Sequence, residues 1–304
     1  MFNDRCLTNV AGIRHLTLLD ATKFIWNDYI TKDANAGQNQ PKANRDSITS
    51  QNVGKLFLSA MKGKLLYVPI SLCTNQYAFS YGVNGWHYFR DLANELIHNP
   101  SVELEKTRFY RFFHNIKCFS YTKLMTLHCE RLTESLPTIP FGSFPWGNYE
   151  CGSSINSNYF HDTSLDRSTQ NFMWFETGAE VHDILVSEFN HIVKLLESLR
   201  SQGYKPIFSK YDFPEVSILK NSLAEVRFTQ IDGAHRLAIL AALGYERVVV
   251  KLDVQRYPPV YEDDVDDWPY VKSGLIRRDD ALRLFRLYFT LDGTERVNFL
   301  FKHL

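Results

Sequence analysis

The stretch Glu225–Leu252, EVRFTQIDGAHRLAILAALGYERVVVKL, constrains the fold more than any other part of the chain. EVRFTQI, residues 225–231, reads as a strand, and RVVVKL, residues 247–252, as another. Between them Gly233 turns the chain, and a helix is expected from His235 to Leu243, ended by Gly244. After Arg236 that helix is apolar nearly all round, so it needs cover on several sides. Upstream, Leu185, Phe189, Ile192, Leu196 and Leu199 recur at spacings of four and three. This predicts a helix over 180–202, with Gly203 as its stop. Helix, strand, helix, strand within one short span predicts a compact mixed α/β (α+β) core over residues 180–256.

The flanking regions read differently. Residues 1–135 are expected to be mainly helical and aromatic, with a polar loop at 33–54 and a strand in KLLYVPISL, 64–72, that Pro69 weakens at its end. Phe89, Leu92, Ala93 and Leu96 share a helix face, and Asn99-Pro100 stops that helix. A second helix over 102–115 presents Phe109, Phe112 and Phe113. Residues 136–179 form a Pro/Gly-rich linker and loop, in which Phe144-Pro145-Trp146-Gly147 is either a rigid aromatic lip or a packed connection. Residues 257–304 are expected to be a short helical packing element with Ala281, Leu284, Phe285 and Tyr288 on its buried stripe. The acidic run Glu262–Asp267 reads as solvated surface.

Charge narrows the function. The chain carries 34 basic and 34 acidic side chains, for a formal net charge of zero. Grip on a nucleic-acid backbone normally comes with a basic excess, so nucleic acid is not an expected partner. No run approaches the length of a membrane span, and Met1–Arg5 does not begin a secretory signal. Five scattered cysteines point to reduced thiols and a cytoplasmic setting. His114, Cys118, His128 and Cys129 lie close in sequence but lack the CxxC pair of a zinc site, so no metal ligand is assigned.

The chemistry concentrates at Asp232-Gly233-Ala234-His235-Arg236. A helix that starts directly after a glycine turn offers free backbone N–H groups, and its dipole favours an anion there. Arg236 adds a bidentate phosphate donor and His235 a second donor. The competing reading is that Asp232 only caps the helix and Arg236 pairs with a local carboxylate.

The residues Gly203-Tyr204-Lys205-Pro206-Ile207, the strand, and DGAHRLA…LGYERVVV together resemble the ParB/sulfiredoxin superfamily over about residues 180 to 254. The resemblance implies that Gly233, Ala234, His235 and Arg236 hold nucleotide phosphates. Sulfiredoxins carry their catalytic cysteine directly before the His-Arg pair. Alanine at position 234 removes that reaction. The glycine-glutamate-arginine-arginine version seen in ParB is also missing, and with it the basis for CTP specificity. The resemblance further implies nucleotide contacts from the preceding helix at His191, Lys194 and Ser198, which fall within about 60° of one another. Its kinase-type branch implies ATP or ADP, and phosphoryl transfer also needs a proton acceptor and usually Mg2+. Asp232, which borders the turn, is the first catalytic candidate, Glu176 is the second because it lies upstream of the nucleotide helix as the glutamate of such kinases does, and His235 is a further one. Ser80-Tyr81-Gly82, Phe144–Gly147, the box and Asp267–Gly274 also follow the order found in ParB-like proteins of bacterial surface-polysaccharide clusters. That similarity implies a saccharide or other small hydroxyl compound as acceptor. The alternative is a non-catalytic nucleotide-binding switch or a DNA-associated ParB-like regulator, although no helix-turn-helix follows the box.

Overall fold

The computed structural model describes residues 14–15, 64–116, 118, 120–147, 181–204, 213–254 and 256–302. Among these, seven strands form one mixed sheet: β1 (Arg14–His15), β2 (Lys64–Pro69), β3 (Cys73–Thr74), β4 (Glu215–Lys220), β5 (Val226–Asp232), β6 (Arg247–Leu252) and β7 (Val260–Tyr261). The order is β1-β2-β6-β4-β5-β3. The β2 strand runs antiparallel to β6 along its whole length, from Lys64 opposite Leu252 to Pro69 opposite Arg247. A bulge between Glu215 and Val216 interrupts the antiparallel β4–β5 hairpin. β6 pairs with β4 at Glu215 and Val216, and β7 takes up the same edge farther along, at Leu219 and Lys220.

The helices are α1 (Tyr88–His98), α2 (Arg108–Asn115), α3 (Tyr121–Met125), α4 (Glu130–Ser135), α5 (Val181–Gln202), α6 (Ala234–Ala242), α7 (Pro269–Lys272), α8 (Arg278–Thr290) and α9 (Thr294–Lys302). Mixed α/β architecture is therefore observed. Leu237, Ala238, Ile239 and Leu240 of α6 are fully buried, as a helix without a polar face requires. It lies against α1 and α5. Val248, Val249 and Val250 of β6 are buried consecutively, so both faces of that strand are covered.

Several expectations change. The segments 1–135 and 180–256 share one sheet through β2 and β6, because an apolar strand buried on both faces needs a partner on each edge. The helix expected over 102–115 is split. Leu104–Lys106 is a 3₁₀ turn, and Thr107 then starts α2 by accepting the Tyr110 N–H at 3.1 Å while its hydroxyl donates to the Leu104 carbonyl. Phe144 and Trp146 are a packed connection: Trp146 meets Trp268, Phe285 and Tyr288 edge to face at 5.5–5.7 Å. Glu262 is not solvated surface. It is buried, accepting from Ser222 N–H at 2.9 Å and from Arg286 Nε at 2.6 Å.

The C-terminal helices grip the loop between β3 and α1. Arg296 of α9 is fully buried and donates to the carbonyls of Tyr77 and Ala78, with its guanidinium 3.8 Å from the centre of the Phe79 ring. Tyr288 donates to the Gln76 carbonyl. The Asp292 carbonyl accepts from both Ser80 N–H and Trp86 N–H. Gly293 is glycine because a Cβ there would come within 2.4 Å of the Trp86 carbonyl oxygen. Within the loop, Asn75 Oδ1 accepts from Tyr77 and Phe79 N–H, and Ala78 takes a left-handed φ of 54°. Arg90 ties the next turn by donating to the carbonyls of Gly82, Val83 and Gly85.

Glu262 yields a pH test. Burial raises its carboxyl, but the Ser222 and Arg286 hydrogen bonds and the Arg286 charge outweigh that and hold it below the ordinary 4.5. A carboxyl whose folded value is depressed stabilises the fold above the unfolded value and loses that contribution as pH falls through the folded one. Glu262→Gln is expected to cost about 1.5–3 kcal/mol near neutrality, the range for a charged hydrogen bond. In paired thermal melts, the gap between variant and wild type should narrow as pH drops below 4.5. A gap independent of pH would show that the carboxylate charge plays no part.

Candidate functional site

The site is built on the junction of β5 and α6. Asp232 ends the strand, Gly233 takes φ 78°, and α6 begins at Ala234. Only a glycine suits this turn on two counts. The left-handed backbone penalises other residues, and a Cβ would lie 2.9 Å from Pro214 Cα. Gly233 is the N-cap residue and has no side chain to cap with, so the first-turn N–H groups of α6 receive no side-chain cap from it. Asp232 does not act as the cap. It is exposed, and its Oδ1 accepts from the Gly233 N–H at 2.6 Å.

His235 points into contact with two other helices. Its Nε2 pairs with the Glu188 carboxylate of α5, with side chains 25% and 18% exposed respectively. Its ring centre lies 4.3 Å from Phe89 of α1 and 4.6 Å from His191 of α5. Phe89 and His235 both sit in the first turns of their helices, so the starts of α1 and α6 adjoin. His191 is held below its usual value, chiefly by partial burial and then by His235, with Arg236 and Lys194 adding to the effect and Glu188 opposing it. Arg236 is half-buried.

Behind this cluster is a buried polar column. Gln230 of β5 meets the Tyr81 hydroxyl at 3.2 Å, and the Tyr81 ring stacks on His87 at 4.1 Å. His87 caps α1, its Nδ1 accepting the Phe89 N–H at 3.2 Å. Burial first, then the charges of His235 and Arg90, keep His87 neutral well below the ordinary histidine value. With Nδ1 accepting, the proton sits on Nε2, which is buried and has no hydrogen-bond partner among the described residues.

Sequence reasoning located much of this set. Gly233, Ala234, His235 and Arg236 lie together at the helix start, and His191 joins them. Lys194 is exposed one turn on, and Ser198 lies about 10 Å farther along α5 than His191 at 1.5 Å per residue. Glu176 lies outside the described residues. Three participants were missed. Glu188 extends the polar stripe by one step of three, a spacing that was open to view. Phe89 and His87 arrive through the α1–α6 contact, which no local pattern encodes. The Glu215–Lys251 pair, 2.5 Å apart, also borders the turn, since Glu215 is opposite both Asp232 and Lys251 in the sheet.

Among the described residues no group of three histidine, cysteine or acidic side chains is placed to hold a metal. No family model, curated protein or solved structure matches the chain.

The two left-handed glycines of this region separate backbone strain from crowding. Gly244, at φ 83°, has nothing within 4 Å of a Cβ, whereas Gly233 meets Pro214. Gly244→Ala is expected to cost about 1–2 kcal/mol from the left-handed backbone alone. Gly233→Ala should cost clearly more in urea unfolding, because Pro214 must also shift. Equal losses would show that the Pro214 contact relaxes freely.

Proposed function

We propose that the chain is a nucleotide-dependent phosphotransferase of the ParB/sulfiredoxin kind, acting on the hydroxyl of a small molecule or saccharide. The observation that carries this reading is the start of α6. A left-handed glycine leaves its first-turn N–H groups without a side-chain cap, and His235 and Arg236 stand in that same turn. Backbone N–H groups, the helix dipole and a guanidinium together suit the oxygens of a di- or triphosphate. His191, whose ring is 4.6 Å from His235, and Lys194 one turn on are the α5 residues assigned to the same ligand in this reading.

Phosphoryl transfer depends mostly on positioning and on charge stabilisation, so a rigid anion seat supplies much of what is required. Mg2+ binds largely to phosphates and water, with one or two carboxylates from the protein. Asp232 suits that role, being exposed and bordering the turn, whereas the nearby Glu215 is already neutralised by Lys251. Alanine at position 234 offers no thiol, so sulfinic acid chemistry is not part of the reading.

Arg236→Ala should weaken binding of a non-hydrolysable ATP analogue by about 1.5–3 kcal/mol in calorimetry. Unchanged affinity would make Arg236 structural. Asp232→Asn should keep nucleotide affinity, because asparagine can still accept the Gly233 N–H, yet slow ADP release in the presence of Mg2+ by about a hundredfold. Full turnover in that variant would take Asp232 out of the chemistry.

A further inference from the structure

The pairing of Glu188 with His235 is not what a simple phosphate seat calls for. A carboxylate beside an anion repels it. Yet Glu188 is held on α5 against the one histidine of the α6 start, and both side chains are largely withdrawn from solvent. A carboxylate can only accept, so Nε2 of His235 carries a proton, and Nδ1 is the nitrogen left for a ligand. The His235 side chain as a whole is 25% exposed, with Phe89 and His191 flanking the ring. The titratable and charged groups around it are Glu188 and His191 from α5, Arg236 from α6 and His87 at the start of α1. The two other histidines are poor proton acceptors for a substrate. His87 has Nδ1 occupied by the Phe89 N–H and is buried, and His191 has no carboxylate at hydrogen-bond distance among the described residues. Asp232 has one carboxylate oxygen engaged by Gly233.

We infer that His235 and Glu188 form the proton-accepting dyad of the site, with His235 Nδ1 as the general base and Glu188 as the residue that positions it. This inference rests on the phosphotransferase reading. In the step, the acceptor hydroxyl gives its proton to Nδ1 while its oxygen bonds to the terminal phosphorus of a nucleoside triphosphate. The bond from that phosphorus to the bridging oxygen breaks, and its electron pair leaves with the nucleoside diphosphate. The imidazolium so formed is balanced by the Glu188 carboxylate and later releases its proton to water. A carboxylate behind a catalytic histidine serves the same two ends in hydrolases, fixing the tautomer and stabilising the imidazolium. The phosphates themselves are then held by the backbone N–H groups and Arg236, and His235 is turned to the acceptor.

The test uses the full chain labelled with 15N-histidine, with His235 assigned through His235→Gln. Long-range H–N correlation should show neutral His235 protonated at Nε2 in the wild type and a mixture of tautomers in Glu188→Ala. With ATP and Mg2+, and water or a panel of saccharides as acceptor, Glu188→Gln should lower the rate of ADP release by about a hundredfold. Its KM for ATP should stay within about twofold, and Glu188→Asp should recover part of the rate. A wild-type His235 protonated at Nδ1, or a wild-type rate in Glu188→Gln, overturns the dyad. Binding of an ATP analogue with no transfer to any acceptor also overturns it but leaves the phosphate seat standing. No nucleotide binding at all removes the phosphotransferase reading, and the dyad with it.

Discussion

A full positive charge is sealed in the core at Arg296, and the loop between β3 and α1 is arranged around satisfying it. Burial pushes its guanidinium down to about 10, so it stays ionised at neutral pH. No carboxylate meets it at salt-bridge distance among the described residues. Two backbone carbonyls and the face of Phe79 take that place. Carbonyls can serve a buried cation only if they are aimed, and aiming them fixes the loop that carries them. The left-handed Ala78 and the Asn75 side chain that gathers Tyr77 and Phe79 N–H are the local form of that constraint. Lysine could not substitute simply, because a guanidinium spans both carbonyls with a rigid fork.

The loop matters because it leads into α1. Ser80 and Trp86 are pinned by Asp292, Arg90 closes the turn between them, and the chain then enters the helix at His87. The start of α1 puts Phe89 on His235, and α5 brings Glu188 to the other side of the same ring. The histidine at the start of α6 is thus oriented by two elements that do not belong to the β5–α6 junction. Precision at a site of this kind comes from side chains whose own positions are locked by packing, and here that lock runs back to the C-terminal helices.

Local pattern was sufficient wherever one periodicity ruled a segment. The α5 and α6 helices, β5, β6 and the glycine between strand and helix lie within a residue or so of where spacing puts them, because burial on one face or on all faces leaves a strong imprint. What escaped was set by partners far away. Glu262 looks like one acid among many, and only Ser222 and Arg286 make it a buried clip. The β2 strand looks like an addition to a helical region until β6 is seen to need its edge. Thr107 is an intermediate case. A hydroxyl residue before an aromatic run is a known helix start, yet the apolar spacing on either side of it reads as one continuous helix. Glu188 was visible as the next step of a stripe, but its role depends on α6 packing against α5, which spacing along one helix does not express.

The Arg296 grip on Tyr77 and Ala78 joins residues 219 and 218 apart in sequence. During synthesis the loop at 75–79 therefore emerges long before the residue that will lock it. Until then its carbonyls face water, and α1 has no fixed entry. Contacts of such separation come late and slowly, since the loop-closure entropy is paid before any contact is made. The β5–α6 turn can form early from neighbouring residues, but its orientation against α1 and α5 waits for α9. A nascent chain that has not yet reached α9 would hold the 75–79 loop without its clasp.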